Sequence, residues 1–379
     1  MAKSNSLAEP RYLMPPKAIA DLVDAPITPD VSASPNQDWI LIMEQPSLPP
    51  ISELAQPELK LAGLRINPRN NGSSRSSYST SLALKSLVDN TERPIAGLPS
   101  DARISSVTWS PDSRLIAFTN NCDSEIQLWL AEVDSGVARR LTDTKLSSAY
   151  GRPFCWLSDS QKVLCKAVPS DRGFSPEEPG VPGGPVIQEN TGKKAPIHTY
   201  QDLLKNAHDE ALLEHYLTTQ IMMVSISGES RIIGSSSIIG QAVPSPNGCY
   251  IFVETIHRPF SYLVPIGRFP RWMEIWDMAG KVIREVADLP LAEEIPIDFD
   301  AVPVGPRSIS WRADTPATLY WAEAQDEGDP KVETDIRDKV FMLPHPFRQE
   351  AIRLASLGYR FSNVRWGTDS IALVSERWW

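Results

Sequence analysis

The sequence predicts an all-β fold: a β-propeller of four-stranded antiparallel blades, five of them followed by part of a sixth, with a helical rim insertion. Two observations predict it. The first is a repeat in which an aromatic or small residue is followed three positions later by Asp or Asn in a turn-like setting. It occurs at Ala33-Ser-Pro-Asn36, Trp109-Ser-Pro-Asp112, Trp156-Leu-Ser-Asp159, Pro244-Ser-Pro-Asn247, Trp311-Arg-Ala-Asp314 and Trp366-Gly-Thr-Asp369. Successive first residues lie 76, 47, 88, 67 and 55 positions apart, close to or above the period of roughly 40 to 50 residues at which propeller blades recur. Excess length is expected in loops. The second observation is a further turn signal after several of these repeats, which makes four strands in each.

The chemistry of each element explains the pattern. In residues 107–118, Pro111 presets the first central turn position and Asp112 offers an oxygen to the freed amides, so two β-rich runs fold back as a hairpin. A second hairpin is expected where residues 126–133 turn at Asp134-Ser-Gly136 into 138–141. The same signal stands at Ser227-Gly228, at Ala279-Gly280 and, more loosely, around Pro344-His-Pro346. Blades are therefore expected near residues 33–98, 104–142, 150–234, 240–287 and 305–355, with a sixth that starts at Tyr359 and stops after one hairpin. Residues 1–32 read as an extension and 33–379 as the propeller domain.

One segment breaks the β pattern. Residues 169–219 combine a Pro/Gly-rich stretch, including Pro176, Pro179, Pro182 and Pro185, with a helix expected from Tyr200 to Leu217. Leu203, Leu204, Ala207, Ala211, Leu212 and Tyr216 fall along one face of that helix. Such an insertion either covers part of the central channel or meets a partner domain, or else packs on its own blade.

Composition closes off other classes. With 41% hydrophobic and 22% charged residues among 379, the chain is globular. A net charge of −10 and aromatics without an RNA-binding pattern argue against a nucleic-acid partner. No run has the length of a membrane span, so no membrane partner is expected. The start, Met1-Ala-Lys-Ser-Asn, lacks the apolar run of a secretory signal, which points to a cytoplasmic setting. Cys122, Cys155, Cys165 and Cys249 have no metal-ligand spacing; they read as buried thiols, although Cys155 and Cys165 could face each other across one hairpin. Neither a metal nor a cofactor is expected.

Catalytic motifs are not found. A serine hydrolase elbow needs Gly-x-Ser-x-Gly, because only glycines let that backbone approach its neighbours. Ser74, Ser175, Ser230 and Ser236 each have glycine two positions before, but Ser76, Glu177, Ile232 and Ile238 two positions after. His208 and His215 lie seven apart, without the four-residue spacing of a helical zinc pair. No catalytic residue is assigned.

Several longer words carry a resemblance. Tyr12-Leu-Met-Pro-Pro-Lys17, Leu22-Val-Asp-Ala-Pro26, Leu61-Ala-Gly-Leu-Arg-Ile66, Tyr200-Gln-Asp-Leu-Leu-Lys205, Ile256-His-Arg-Pro-Phe-Ser261, Val264-Pro-Ile-Gly-Arg-Phe-Pro270, Asp288-Leu-Pro-Leu-Ala-Glu-Glu-Ile-Pro-Ile297 and Ser310-Trp-Arg-Ala-Asp314 resemble the amino-terminal half of the chloroplast-type glutamyl endopeptidases, serine peptidases of the prolyl oligopeptidase family. The resemblance implies a propeller that gates peptide access to an α/β-hydrolase domain supplying the Ser, Asp and His. That hydrolase is absent from these residues, so the chain reads as a truncated or split member, inactive alone and completed by a complementary hydrolase polypeptide. The alternative is a stand-alone interaction module or a non-functional remnant. Preference for Glu at the cleavage site implies a cation, and Arg258, Arg268 and Arg271 are the substrate-binding candidates, since a planar guanidinium donates two parallel hydrogen bonds to a carboxylate. The competing reading of each is an ordinary arginine held by a local carboxylate.

Overall fold

A computed structural model describes residues 13–180, 200–296, 298–368 and 371–377. Successive strands pair antiparallel in chain order. The first blade holds Asp30–Ala33, Trp39–Glu44, Ser81–Ser86 and Glu92–Pro94, the second Ile104–Trp109, Leu115–Asn121, Ile126–Glu132 and Val137–Arg140. The fifth holds Arg307–Trp311, Thr318–Ala324, Asp338–Pro344 and Ile352–Leu357, and a hairpin of Arg360–Thr368 and Ile371–Arg377 follows.

Blades 3 and 4 depart from the expected separation. Residues 234–240 read as a break between them, yet Ser230–Pro244 is one continuous strand that joins both into a seven-stranded sheet. Its first part pairs with Thr218–Ser225 and its last part with Tyr250–Ile256, the two partnerships meeting at Ile238. A positive φ at Gly234 and a register shift between Ile239 and Gln241 bend the strand from one blade to the next.

The repeat sits at equivalent places. Ala33, Trp109, Trp156, Pro244 and Trp311 each end the first strand of a blade. The turns share one chemistry. The Ser34 hydroxyl bonds Asn36 and accepts from the Trp39 amide, Ser110 does the same with Asp112 and Leu115, and Ser245 with Asn247 and Tyr250. Gln37, Ser113, Ser160 and Gly248 then take positive φ, the left-handed step that closes such hairpins. The turns also tie neighbours together, because the Asn36 amide donates to Ser113 of blade 2 and the Asp112 amide to Ser160 of blade 3.

The tryptophans add a second tie of the same kind. The indole of Trp109 donates to Ser32, that of Trp156 to the Thr108 carbonyl and that of Trp311 to the Val243 carbonyl. Each acceptor lies one residue before the equivalent position of the preceding blade. Asp369 of the sixth repeat lies outside the described residues, and the Trp366 indole nitrogen is buried without a partner.

The core lies between blades rather than within them. In a strand, alternate side chains point to opposite faces, and here each face meets a different blade. Ile116 and Phe118 pack toward blade 1, and Ala117 toward blade 3. Phe252 packs toward blade 5, and Ile251 and Val253 toward blade 3. Leu319 and Trp321 face blade 4, whereas Tyr320 and Ala322 face the final hairpin. This two-sided burial makes second strands such as Leu115–Asn121 and Tyr250–Ile256 almost wholly buried, while outer strands such as Val282–Leu289 bury no residue fully.

Two expectations need correction. The helix spans Ala207–Leu217 only, because Asp202 has a positive φ and Asn206 caps the first turn by accepting from the Asp209 amide. Leu204 still reaches the same core as Leu213 and Tyr216, from irregular chain. The four cysteines are free, but of them Cys165 alone is fully buried; Cys122 and Cys155 are half-buried and Cys249 is exposed. Cys155 pairs with Leu164 and Phe154 with Cys165, which puts the two thiols on opposite faces of their hairpin. No helix among the described residues is long and apolar enough to cross a membrane.

Candidate functional site

Because the strands of each blade alternate in direction, the connections alternate between two ends. Among the described residues one end carries the short connections, such as 34–37, 110–113, 134–136 and 278–280. The other carries the long connections, including 45–80, 168–217, 257–270, 290–306 and 325–337. Function is expected where the loops are.

On that end the insertions of blades 1, 3 and 4 form one layer. Leu61 and Ile66 from the first pack with Leu213 and Tyr216 from the third and with Ile266 and Phe269 from the fourth. Backbone bonds cross between them, with the Gly63 amide on the Asp202 carbonyl and the Ile266 amide on the Ala62 carbonyl, both at 2.9 Å. Gly63 has φ +83°, and an added Cβ there would lie 2.8 Å from Cβ of Pro265. Asn71 donates to the Tyr216 carbonyl and Arg65 pairs with Asp202. The helical insertion thus packs across blades rather than on its own blade alone. Four of the words that carry the family resemblance, beginning at Leu61, Tyr200, Ile256 and Val264, converge in this layer although far apart in sequence.

Beside the layer lies a cavity of about 990 Å³ between blades 4 and 5. A smaller cavity of about 440 Å³ runs along the first strands of blades 3, 4 and 5 and shares Gln241 with it. Arg268 and Arg271 both line the larger cavity; Arg258 does not. Arg258 is half-exposed and clasps Glu210 and Glu214 of the helix, which raise its pKa, so it fastens the layer. Tyr262 donates to Glu210 as well, and that bond pushes the phenol up to about 12.

The other two differ in their remaining capacity. Arg271, expected in a loop, begins the strand Arg271–Asp277; it pairs with Glu254 at 3.2 Å and donates to the carbonyls of Ile266, Gly267 and Phe269. Its role is to tie the 266–269 turn to blade 4. Arg268 lies over the Tyr200 ring at 5.5 Å, and its Nη1 is buried without a hydrogen-bond partner among the described residues. Sequence reasoning missed Arg307, whose Nη2 pairs with Asp338 while Nη1 is likewise buried and unpartnered on the same cavity. Its only signal was position, since it closes the Pro-rich connection at Val302-Pro-Val-Gly-Pro-Arg307. Unpaired buried donors are costly, and two of them beside one cavity suit an incoming carboxylate.

Between the two cavities Lys166, Glu254 and Arg271 form a buried brace. Lys166 donates to the carbonyl of Tyr150 and, at 3.4 Å, of Ile239. Burial pulls its pKa down to about 8 against the attraction of Glu254, and burial pushes Glu254 up against Arg271. The sign follows from linkage. Below pH 8 the ammonium is charged in both states; between about 8 and the ordinary 10.5 the unfolded chain holds a proton that the folded chain has released, so stability rises with pH. Wild type should therefore gain stability relative to Lys166→Met across that window in denaturant titrations. A difference that stays flat with pH would refute it.

No family model matches the chain. It is 43% identical over 97% of its length to a probable chloroplastic glutamyl endopeptidase of Oryza sativa subsp. japonica, covering 41% of that protein. To the Arabidopsis thaliana protein of the same description it is 40% identical over 97%, covering 40%. The chain thus spans about two-fifths of these relatives. Among solved structures, it is similar to Pyrococcus horikoshii acylaminoacyl peptidase with a TM-score of 0.46 and 12% identity, over 93% of this chain and 43% of that one. The tricorn protease gives a TM-score of 0.42 at 11% identity, over 92% of this chain and 27% of that one. By its identity across nearly its whole length to the two plant proteins, the chain is a relative of the amino-terminal part of the chloroplast-type glutamyl endopeptidases.

Proposed function

We propose that this chain is the substrate-admitting propeller portion of a glutamyl endopeptidase of the prolyl oligopeptidase family, with the nucleophile supplied by a hydrolase portion. The observation that carries the reading is the cavity between blades 4 and 5, which holds the unpartnered guanidinium nitrogens of Arg268 and Arg307 next to the layer built from the shared sequence words. An extended peptide with an acidic side chain fits such a cleft. A guanidinium held in place beforehand can take the carboxylate with little reorganisation. The layer over this end restricts entry to unfolded chain, as gating requires.

The test is a chimera in which these residues replace the corresponding part of the rice relative. It should cleave Glu-containing peptides and spare folded proteins. Arg268→Gln should lower kcat/KM for acidic peptides about tenfold, the size of one charge-assisted bond, and leave neutral peptides little changed. A folded chimera without activity would refute the admitting role, and an equal loss on both peptide classes would refute the role of Arg268.

A further inference from the structure

A second cationic site lies at the opposite end, among the tight turns. The groove where blades 4 and 5 meet there encloses about 490 Å³ and is lined by Tyr250, Arg284, His345, Phe347 and Arg348 among others. Three elements bring these residues together. Tyr250 follows the first turn of blade 4, Arg284 is the third residue of its outer strand Val282–Leu289, and residues 345–348 belong to the outer turn of blade 5.

Among the described residues neither Arg284 nor Arg348 has an ion pair, and Nε of Arg284 is buried without a hydrogen-bond partner. Arg348 is exposed. Glu323 and Glu350 line an adjoining cavity with Arg284, but Glu323 is engaged by the Trp321 indole at 2.6 Å. In a chain of net charge −10, two arginines without ion pairs at one groove mark a place for an outside anion.

The groove also has an aromatic wall. Ring centroids of Tyr250 and Phe347 stand 5.1 Å apart at right angles, and His345 lies 5.5 Å from Tyr250 and 5.6 Å from Phe347. Phe347 is 2% exposed and holds φ at 63°. A bulky residue rarely takes that conformation and persists in it only where its surroundings impose it. The packing of Phe347 on Tyr250 and Trp311 imposes it, and so presents His345 and Arg348 to the groove.

We propose that this groove binds an oxyanion, carboxylate or phosphate, carried on an aromatic ring, with Arg284 and Arg348 holding the anion and the Tyr250 and His345 rings facing the aromatic group. The site is separate from the cavity that holds Arg268, so it stands whether or not the peptidase reading does. The test titrates the 379-residue polypeptide calorimetrically with phenyl phosphate, N-acetylphenylalanine and inorganic phosphate at matched ionic strength.

At least one ring-bearing anion should bind saturably and about fivefold or more tighter than inorganic phosphate, the order of one aromatic contact. Whichever headgroup binds tighter identifies the source, and either supports the site. Arg348→Gln, at an exposed side chain whose loss leaves the fold intact, should weaken binding about tenfold. Arg268→Gln should leave it unchanged. Absence of saturable binding by all three anions, or equal affinity in Arg348→Gln and wild type, would overturn the proposal.

Discussion

Arg360→Ala is expected to cost about 3–5 kcal/mol of stability, the range for removing one partner of a buried ion pair. Arg360 opens the final hairpin and is fully buried. Its two terminal nitrogens meet both oxygens of Asp326 at 2.8 Å, one of them also reaches Asp338 at 3.2 Å, and Nε donates to the Asp300 carbonyl. Asp326 and Asp338 are themselves fully buried. Removing the guanidinium strands two carboxylates away from water and leaves them Arg307, Arg337 and the backbone amides of Gly328 and Phe361. Arg360→Lys should lose most of the same energy, since a point charge cannot span a bidentate carboxylate.

The loss should appear as a lower denaturant midpoint with an unchanged slope. A cost under about 1 kcal/mol, the level of an exposed pair, would show that the cluster does not anchor the hairpin. On the proposed reading the cavity should be affected too, because Arg307 shares Asp338 with Arg360 and also lines the cavity between blades 4 and 5. Binding of acidic peptides should weaken in the variant under conditions where it remains folded.

Trp311→Ala should cost about 3–5 kcal/mol, as large aromatic truncations in cores do. Trp311 is 6% exposed, packs against Phe347 and donates to the Val243 carbonyl at 2.9 Å. Trp311→Phe separates the two contributions: it keeps much of the packing and loses the tie to blade 4, for about 1–2 kcal/mol. The contrast is Trp366→Phe. There the indole nitrogen has no acceptor, while the ring face still covers Arg312 at 4.0 Å and meets Tyr320 edge-on. Removing an unpaired buried donor should be neutral within about 0.5 kcal/mol, or slightly stabilising. Equal losses for the two Trp→Phe changes would mean that the blade-to-blade bonds contribute nothing.

The repeat was legible because its chemistry is local. A serine or proline, an Asp or Asn two to three residues on, and a residue tolerant of positive φ make a hairpin from five or six neighbouring positions, as at Ser110, Asp112 and Ser113. Blade order follows from the spacing of such turns. The helix start was misread because Leu203 and Leu204 keep the apolar spacing of Leu212 and Tyr216, and only the cap at Asn206 and the left-handed Asp202 show that chain enters the same core without helix.

The site was legible in part. Arginines amid prolines and aromatics could be picked out, and the words around Arg258, Arg268 and Arg271 do meet in one layer. Their roles could not be read, because a guanidinium is spent or available according to acceptors far along the chain. Glu210 and Glu214 occupy Arg258, Glu254 and three carbonyls occupy Arg271, and Asp338 takes only part of Arg307.

By itself the sequence determined the blades, their order and their turns, since hairpin chemistry and two-residue alternation act between near neighbours. Tertiary structure alone decided that Ser230–Pro244 runs unbroken through two blades, that three insertions share one layer, and which guanidinium nitrogens face a cavity unpaired. The last two outcomes depend on partners more than thirty residues away, whose arrival is set by packing between blades and leaves no mark in local spacing.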